Sequence, residues 1–356
     1  MLPLKRFPKL VFCFGVITIL FTRDLISQTP LLSSEFIYEK APFESCHAST
    51  IVETESGFIA AWFGGTNEGD KDVEIWLSRF EMGKWAPPRS VANGIQNDSV
   101  RYPCWNPVLV RLPDSSIRLF YKVGPSPRKW WGETRISTNE GENWSSPAKL
   151  PDGILGPVKN KALILSDSVI ISPSSTEHDG WRVHFEHSND GGQSWEVVSV
   201  PSKEPPLDAI QPTILRHPEG RLQAICRTQA GFLAETWSHD NGSTWSDLIL
   251  ISLPNPNAGI DGITLHDGRH LLVYNHSTKP PDKWGGLRTP LNISVSADGL
   301  QWEECLVLES ESGEYSYPAV IQSGEGKVHI TYTWNRKKIK HVILDPSYLE
   351  CNPISK

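Results

Sequence analysis

Apolar residues along this chain come in short runs, about five to eight long, that alternate with polar positions and end at Gly, Pro, Asn or Asp. Strands are expected at 56–63, 117–123, 168–172, 221–228, 270–275 and 327–334, most of them carrying β-branched or aromatic residues. Beyond residue 28 no long segment has a convincing helical period. The chain therefore reads as all-β. A last strand around 341–344 is expected to pair with the N-terminal chain.

An internal repeat organises these strands. Ser-x-Asp/Asn-x-Gly-x-x-Trp occurs at Ser137, Asn139, Gly141 and Trp144, at Ser188, Asp190, Gly192 and Trp195, and at Ser238, Asp240, Gly242 and Trp245. Ser296, Asp298, Gly299 and Trp302 form a shorter copy, and 78–85 keeps only the end residues of a degenerate fifth. In each copy the acidic or amide side chain can accept turn N–H groups, Gly supplies a positive φ, and Trp folds back under the turn. These boxes are hairpin staples and carry no chemistry of their own. The spacing of Trp85, Trp144, Trp195, Trp245 and Trp302 matches one four-stranded blade per copy. After residue 28, about 325 residues at roughly 50 to 55 per blade give a six-bladed β-propeller, with seven short blades as the alternative.

The N-terminus changes the domain picture. Lys5, Arg6 and Lys9 precede a largely apolar run from Leu10 to Phe21, short for a spanning helix. Residues 1–28 read as a cleaved signal peptide, with an uncleaved anchor as the alternative, and 29–356 as the propeller. A secreted or periplasmic monomer with no membrane span after signal removal is expected. Net charge is −7, so no global basic field favours nucleic acid. Of six Cys, Cys13 leaves with the signal. The other five fit neither a disulfide framework nor a zinc pattern, so buried thiols, at most one disulfide, no metal and no cofactor are expected.

In number and spacing the boxes resemble those of the sialidase-like superfamily of Asp-box propellers. Segments between them do too: His47-Ala-Ser-Thr, Trp62-Phe-Gly-Gly-Thr, Gly156-Pro-Val-Lys-Asn-Lys, Gln211-Pro-Thr-Ile-Leu, Asn255-Pro-Asn-Ala-Gly-Ile-Asp and Tyr315-Ser-Tyr-Pro. The resemblance implies three arginines clamping a substrate carboxylate, a Tyr–Glu nucleophile pair and an Asp acid/base. Arg227, in Ala-Ile-Cys-Arg, falls where a central clamp arginine is expected, and Arg288 is a second. Tyr315 resembles the tyrosine that opens the last catalytic segment, Glu235 is placed to partner it, and Asp70 or Asp72 supplies the acid. The first clamp arginine is missing: its stretch reads Phe43-Glu-Ser-Cys-His47.

A histidine in that place changes the chemistry expected. His47 with Tyr315 or Tyr317 suits proton transfer in β-elimination at a uronic acid, and Arg227 and Arg288 suit its carboxylate. That makes a lyase or dehydratase of acidic oligosaccharides or polysaccharides the leading expectation. A sialidase-type exo-glycosidase is the alternative, and a non-catalytic glycan-binding propeller the third. Lys159, Asn160 and Lys161, in a Pro-flanked loop, and Gln211 are further candidates for binding an acidic glycan. Trp105, Trp130 and Trp131 are candidates for stacking on sugar rings.

Overall fold

Six antiparallel sheets stand around a common axis in a computed structural model that describes residues 29–354. The signal-peptide expectation lies outside the described residues. Blade one runs Ser45–Glu53, Phe58–Gly65 and Glu74–Glu81, and the short Lys84–Trp85 and Arg89–Ala92 both pair with its third strand. Blade two runs Cys104–Arg111, Ile117–Val123, Trp131–Ser137 and Ala148–Lys149. Blade three runs Leu163–Ile164, Ile170–Thr176, Arg182–Ser188 and Glu196–Ser199. Blade four runs Ala209–Arg216, Leu222–Thr228, Phe232–Ser238 and Ile249–Pro254. Blade five runs Asp261–Thr264, His270–Tyr274, Leu291–Ser296 and Glu303–Glu309, with Asn352–Pro353 at its edge. Blade six takes Tyr315–Gln322, Val328–Trp334 and Lys338–Leu344 from the C-terminal end and Leu31–Phe36 from the N-terminal end. That pairing closes the ring and removes an exposed sheet edge.

The core lies between blades. Six apolar clusters fill the six interfaces, from Ile59, Leu77, Leu109 and Leu119 between blades one and two to Tyr38, Trp62 and Ile339 between blades six and one. A middle strand such as Ile117–Val123 is therefore buried on both faces.

The boxes lie at turns between the third and fourth strands. At Asp190, Ser188 Oγ donates to Oδ1 at 2.8 Å and Gly192 N donates to Ser188 Oγ at 2.7 Å. Trp245 of blade four stacks on Phe185 of blade three, ring centroids 3.8 Å apart, so a box also joins neighbours. The degenerate fifth copy is a plain hairpin in which Ser78 Oγ donates to the Ala86 carbonyl at 2.6 Å. Cys305 and Cys351 form a disulfide, while Cys46, Cys104 and Cys226 are buried thiols. The connections between second and third strands gather on the face opposite the boxes, and there the polar cluster lies.

Candidate functional site

Each blade enters its innermost strand through a residue in the left-handed region: Ala48 (φ 58°), Asn106 (38°), Lys159 (83°), Gln211 (57°), Asn257 (63°) and Tyr317 (53°). Such φ values are costly for residues with a Cβ and persist where surrounding structure holds them. Register shifts accompany them at His47/Thr50, Ile210/Thr213 and Ser316/Ala319. The repeated bulge brings side chains of different blades together at one mouth of the ring.

Tyr317 is the hub. The His47 ring lies 4.0 Å from its ring, centroid to centroid. The Arg227 and Arg288 guanidiniums lie 5.4 and 5.7 Å from that ring, and Lys159 Nζ lies 6.0 Å away. Gly259 backs it: a Cβ there would sit 3.1 Å from the Tyr317 ring.

A third guanidinium joins them. Arg336 stands in the hairpin turn of blade six, where Asn335 and Arg336 have φ of 50° and 53°, and its carbonyl accepts from Cys46 N at 2.8 Å. Its Nε donates to Glu314 Oε1 at 2.8 Å, the oxygen that also accepts from Arg288 at 3.0 Å, and its Nη1 pairs with Glu68. Glu314 is thus shared by Arg288 and Arg336, and among the described residues Arg227 makes no ion pair. Arg336 comes from the other end of the chain to the stretch, 43–47, where the first arginine was expected. Asn335 marks the turn in the sequence, but nothing local reports its approach to blade one.

The electrostatics follow. Burial, and then the charges of Arg336, Arg288, Arg227 and Lys159, hold the His47 imidazole well below its ordinary value, so it is neutral. Its Nδ1 shares a hydrogen bond with Thr333 Oγ1 at 3.1 Å. His47 Nε2, Gln211 Oε1, Arg227 Nε and Asn257 Oδ1 are buried without a protein partner. Two of these, His47 Nε2 and Arg227 Nε, belong to side chains packed around Tyr317, and they leave polar capacity there for a ligand.

Not every expected residue joins. Tyr315 turns into the core between blades five and six against Trp334; regular alternation would put the two tyrosines, i and i+2, on one face, and the left-handed Tyr317 with its register shift separates them. Glu235 is not the tyrosine's partner: it accepts from Gln223 Nε2 at 2.6 Å, and Gln223 in turn reaches Gly299 of a box on the other face. The Lys-Asn-Lys segment is a pin across the axis. Lys159 Nζ donates to the Ile260 and Pro318 carbonyls, Asn160 Nδ2 to the Gln211 and Pro212 carbonyls, and Lys161 Nζ pairs with Asp261 at 2.9 Å. Their donors serve blades four to six rather than a glycan. Burial pushes the Lys159 amine down to about 7.

Trp105 is buried with Nε1 on the Gly124 carbonyl at 2.9 Å, so it supports the 66–72 loop and offers no open face. In that loop Asp72 is tied to Thr66 N and Oγ1, whereas Asp70 accepts only from Asn67 Nδ2 at 3.3 Å and stands at the rim. Trp181, whose ring centroid lies 5.0 Å from the Arg227 guanidinium, and Glu177 were not expected from the sequence. Burial raises the Glu177 carboxyl, against the opposing pull of Arg227. Among the described residues no group of three or more His, Cys, Asp or Glu is arranged to hold a metal, and no helix is long and apolar enough to cross a membrane.

Residues 56–330 match the model of the BNR repeat-like domain, and the chain belongs to that family. It is similar to the anhydrosialidase of Macrobdella decora, 24% identical over 243 residues, 58% of this chain and 30% of that protein. The chain thus spans less than a third of that relative's length. Among solved structures it resembles a protein of unknown function from Dyadobacter fermentans (TM-score 0.72, 18% identity, covering 88% of this chain and 98% of that one). It also resembles the intramolecular trans-sialidase from Ruminococcus gnavus, solved with oseltamivir carboxylate (TM-score 0.70, 14% identity, 92% and 100%). At these identities the structural likeness speaks for the sialidase-like propeller fold.

Proposed function

We propose that this chain is a glycan-active enzyme of sialidase type that cleaves a terminal, carboxylate-bearing sugar. The observation that carries the reading is the pair Arg227 and Arg288 around Tyr317, with Arg336 joined to Arg288 through Glu314 and the buried Arg227 Nε left without a partner. Bidentate guanidinium pairs suit a sugar carboxylate. The relatives named as sialidases favour this reading over elimination, the leading expectation from sequence. The carboxylate would lie on the arginines with the anomeric carbon over Tyr317. The Tyr317 phenol oxygen attacks that carbon as its proton passes to His47 Nε2, which the bound carboxylate makes more basic by offsetting the arginine and lysine charges that otherwise hold the imidazole unprotonated. Asp70 protonates the departing glycosidic oxygen, and water then reverses the sequence. Here His47 does what a glutamate does in the resemblance. The Cys305–Cys351 disulfide favours an oxidising compartment, in keeping with secretion.

The test is release of free sialic acid from a fluorogenic sialoside. Tyr317→Phe should cost at least about a thousandfold in kcat, about 4 kcal/mol of barrier, while keeping the affinity for a sialic-acid analogue. Absence of release from every α-linked nonulosonate offered would refute the reading.

One observation keeps a second reading. The group nearest Tyr317 is a neutral histidine, which suits abstraction of the proton beside a uronate carboxylate and loss of the C4 oxygen. An ultraviolet-absorbing unsaturated uronate, formed from uronate oligosaccharides with no sialic acid released from sialosides, would establish that chemistry instead.

A further inference from the structure

We propose that Lys159 is a positioning residue for Tyr317: its buried ammonium ties together the two chain segments that aim the tyrosine at the arginines. The inference rests on reading Tyr317 as the nucleophile and deepens that reading by one residue.

The lysine stands where a charge is hard to keep. Lys159 is 2% exposed, and an ammonium out of water is costly unless its N–H groups find acceptors. It has three donors, and three oxygens receive them: the Ile260 carbonyl, the Pro318 carbonyl and Asn160 Oδ1 at 2.8 Å. None of the three belongs to a carboxylate, so the group is not there to complete an ion pair. Held by neutral oxygens from separate segments, it gathers the chain as a bound cation would.

The two carbonyls identify what is gathered. Pro318 follows Tyr317 directly, and Ile260 follows Gly259, which backs the Tyr317 ring. The ladder of blade six skips from Ser316 to Ala319 and that of blade five begins at Asp261, so neither Pro318 nor Ile260 has a registered partner in its own blade. Tyr317 is left-handed, with a φ of 53°, a conformation that surrounding structure has to hold. The lysine's hydrogen bonds go to the flanking chain and not to the phenol. It therefore acts through the backbone and touches no reacting atom.

The base of the lysine is itself fixed. Val158 N donates to the Pro173 carbonyl of blade three at 3.0 Å, and the fully buried Lys122 of blade two donates Nζ to the Pro157 carbonyl at 2.6 Å. The pin is thus anchored in blades two and three and reaches blades five and six. Lys161 works one step further out, through Asp261, whose Oδ2 accepts from Val320 N at 2.9 Å. It holds the strand beyond the bulge and leaves Lys159 as the contact beside Tyr317.

Chemical rescue tests this. Lys159→Ala removes the ammonium and leaves its acceptors around a space that a small ammonium ion can enter. On a fluorogenic sialoside kcat should fall about a hundredfold, the scale of a group displaced by about an ångström, with KM within about threefold. Methylammonium should restore kcat at least about tenfold, and sodium chloride at equal ionic strength should not. A merely structural lysine would lower the melting temperature and leave kcat of the folded fraction alone. The second readout needs no turnover: the fluorine resonance of Tyr317 in protein labelled with meta-fluorotyrosine, assigned by its loss in Tyr317→Phe. It should move in Lys159→Ala and return with methylammonium. That response in a protein whose wild type cleaves no α-linked nonulosonate keeps the positioning role and refutes the central reading. Cleavage by the wild type, with kcat and resonance both unmoved in Lys159→Ala, keeps the centre and overturns the proposal. If the alanine variant does not fold, Lys159→Gln is read by the same two signals, and unmoved values again overturn it.

Discussion

Arg336 shows how much one side chain depends on where the fold puts it. Its Nε shares Glu314 Oε1 with Arg288, so the two arginines hold each other's geometry. Burial opposes its charge, but Glu68 and Glu314 outweigh that and keep it firmly protonated. Arg336→Lys keeps a charge and loses the planar fork. It should raise KM for an acidic substrate by about ten- to a hundredfold, the worth of one hydrogen bond to a charged group at roughly 1.5–3 kcal/mol. Steady-state kinetics check this, and an unchanged KM would remove Arg336 from the clamp. His47, Arg227 and Arg288 were legible as residues, because motif positions identify them. Choosing Tyr317 over Tyr315 required the bulge, since alternation alone would put the two, i and i+2, on one face.

Among elements, the boxes act as staples between blades as well as within them. Trp245 is buried, stacks on Phe185 of the preceding blade, and donates Nε1 to the Gly242 carbonyl at 3.1 Å. Trp245→Ala should lower the unfolding free energy by about 3–5 kcal/mol, as for other buried tryptophans. Because the box lies on the face away from Tyr317, kcat of the folded fraction should hold. Thermal unfolding with activity at low temperature separates the two effects. The strands were readable to within one or two residues at 117–123, 221–228, 270–275 and 327–334, because β-branched and aromatic runs end at turn residues there. The 159–161 segment misled, because two lysines between prolines look solvated until the axis is built around them.

At the scale of the whole molecule, ring closure concentrates risk in the seam between blades six and one. His329 Nδ1 and His341 Nε2 lie 3.1 Å apart, with Phe58 stacked on His329 and Trp85 Nε1 donating to His341 Nδ1 at 3.3 Å. Burial lowers both, to about 4 and about 3. A histidine with a depressed folded pKa contributes its full stability above its unfolded value of about 6.5 and loses it as pH falls towards the folded value. The melting temperature should therefore drop between pH 6.5 and 4. In His341→Gln that slope should be shallower in pH-dependent calorimetry, and an equal slope would exonerate the seam. The sequence by itself determined the strands, the staples, the repeat and hence the propeller, because these rest on contacts between residues close along the chain. Only the tertiary structure decided which polar residues meet. Closing the ring brings Arg336 beside Cys46 and His47, groups nearly a whole chain apart, and no local pattern encodes a contact made by closure.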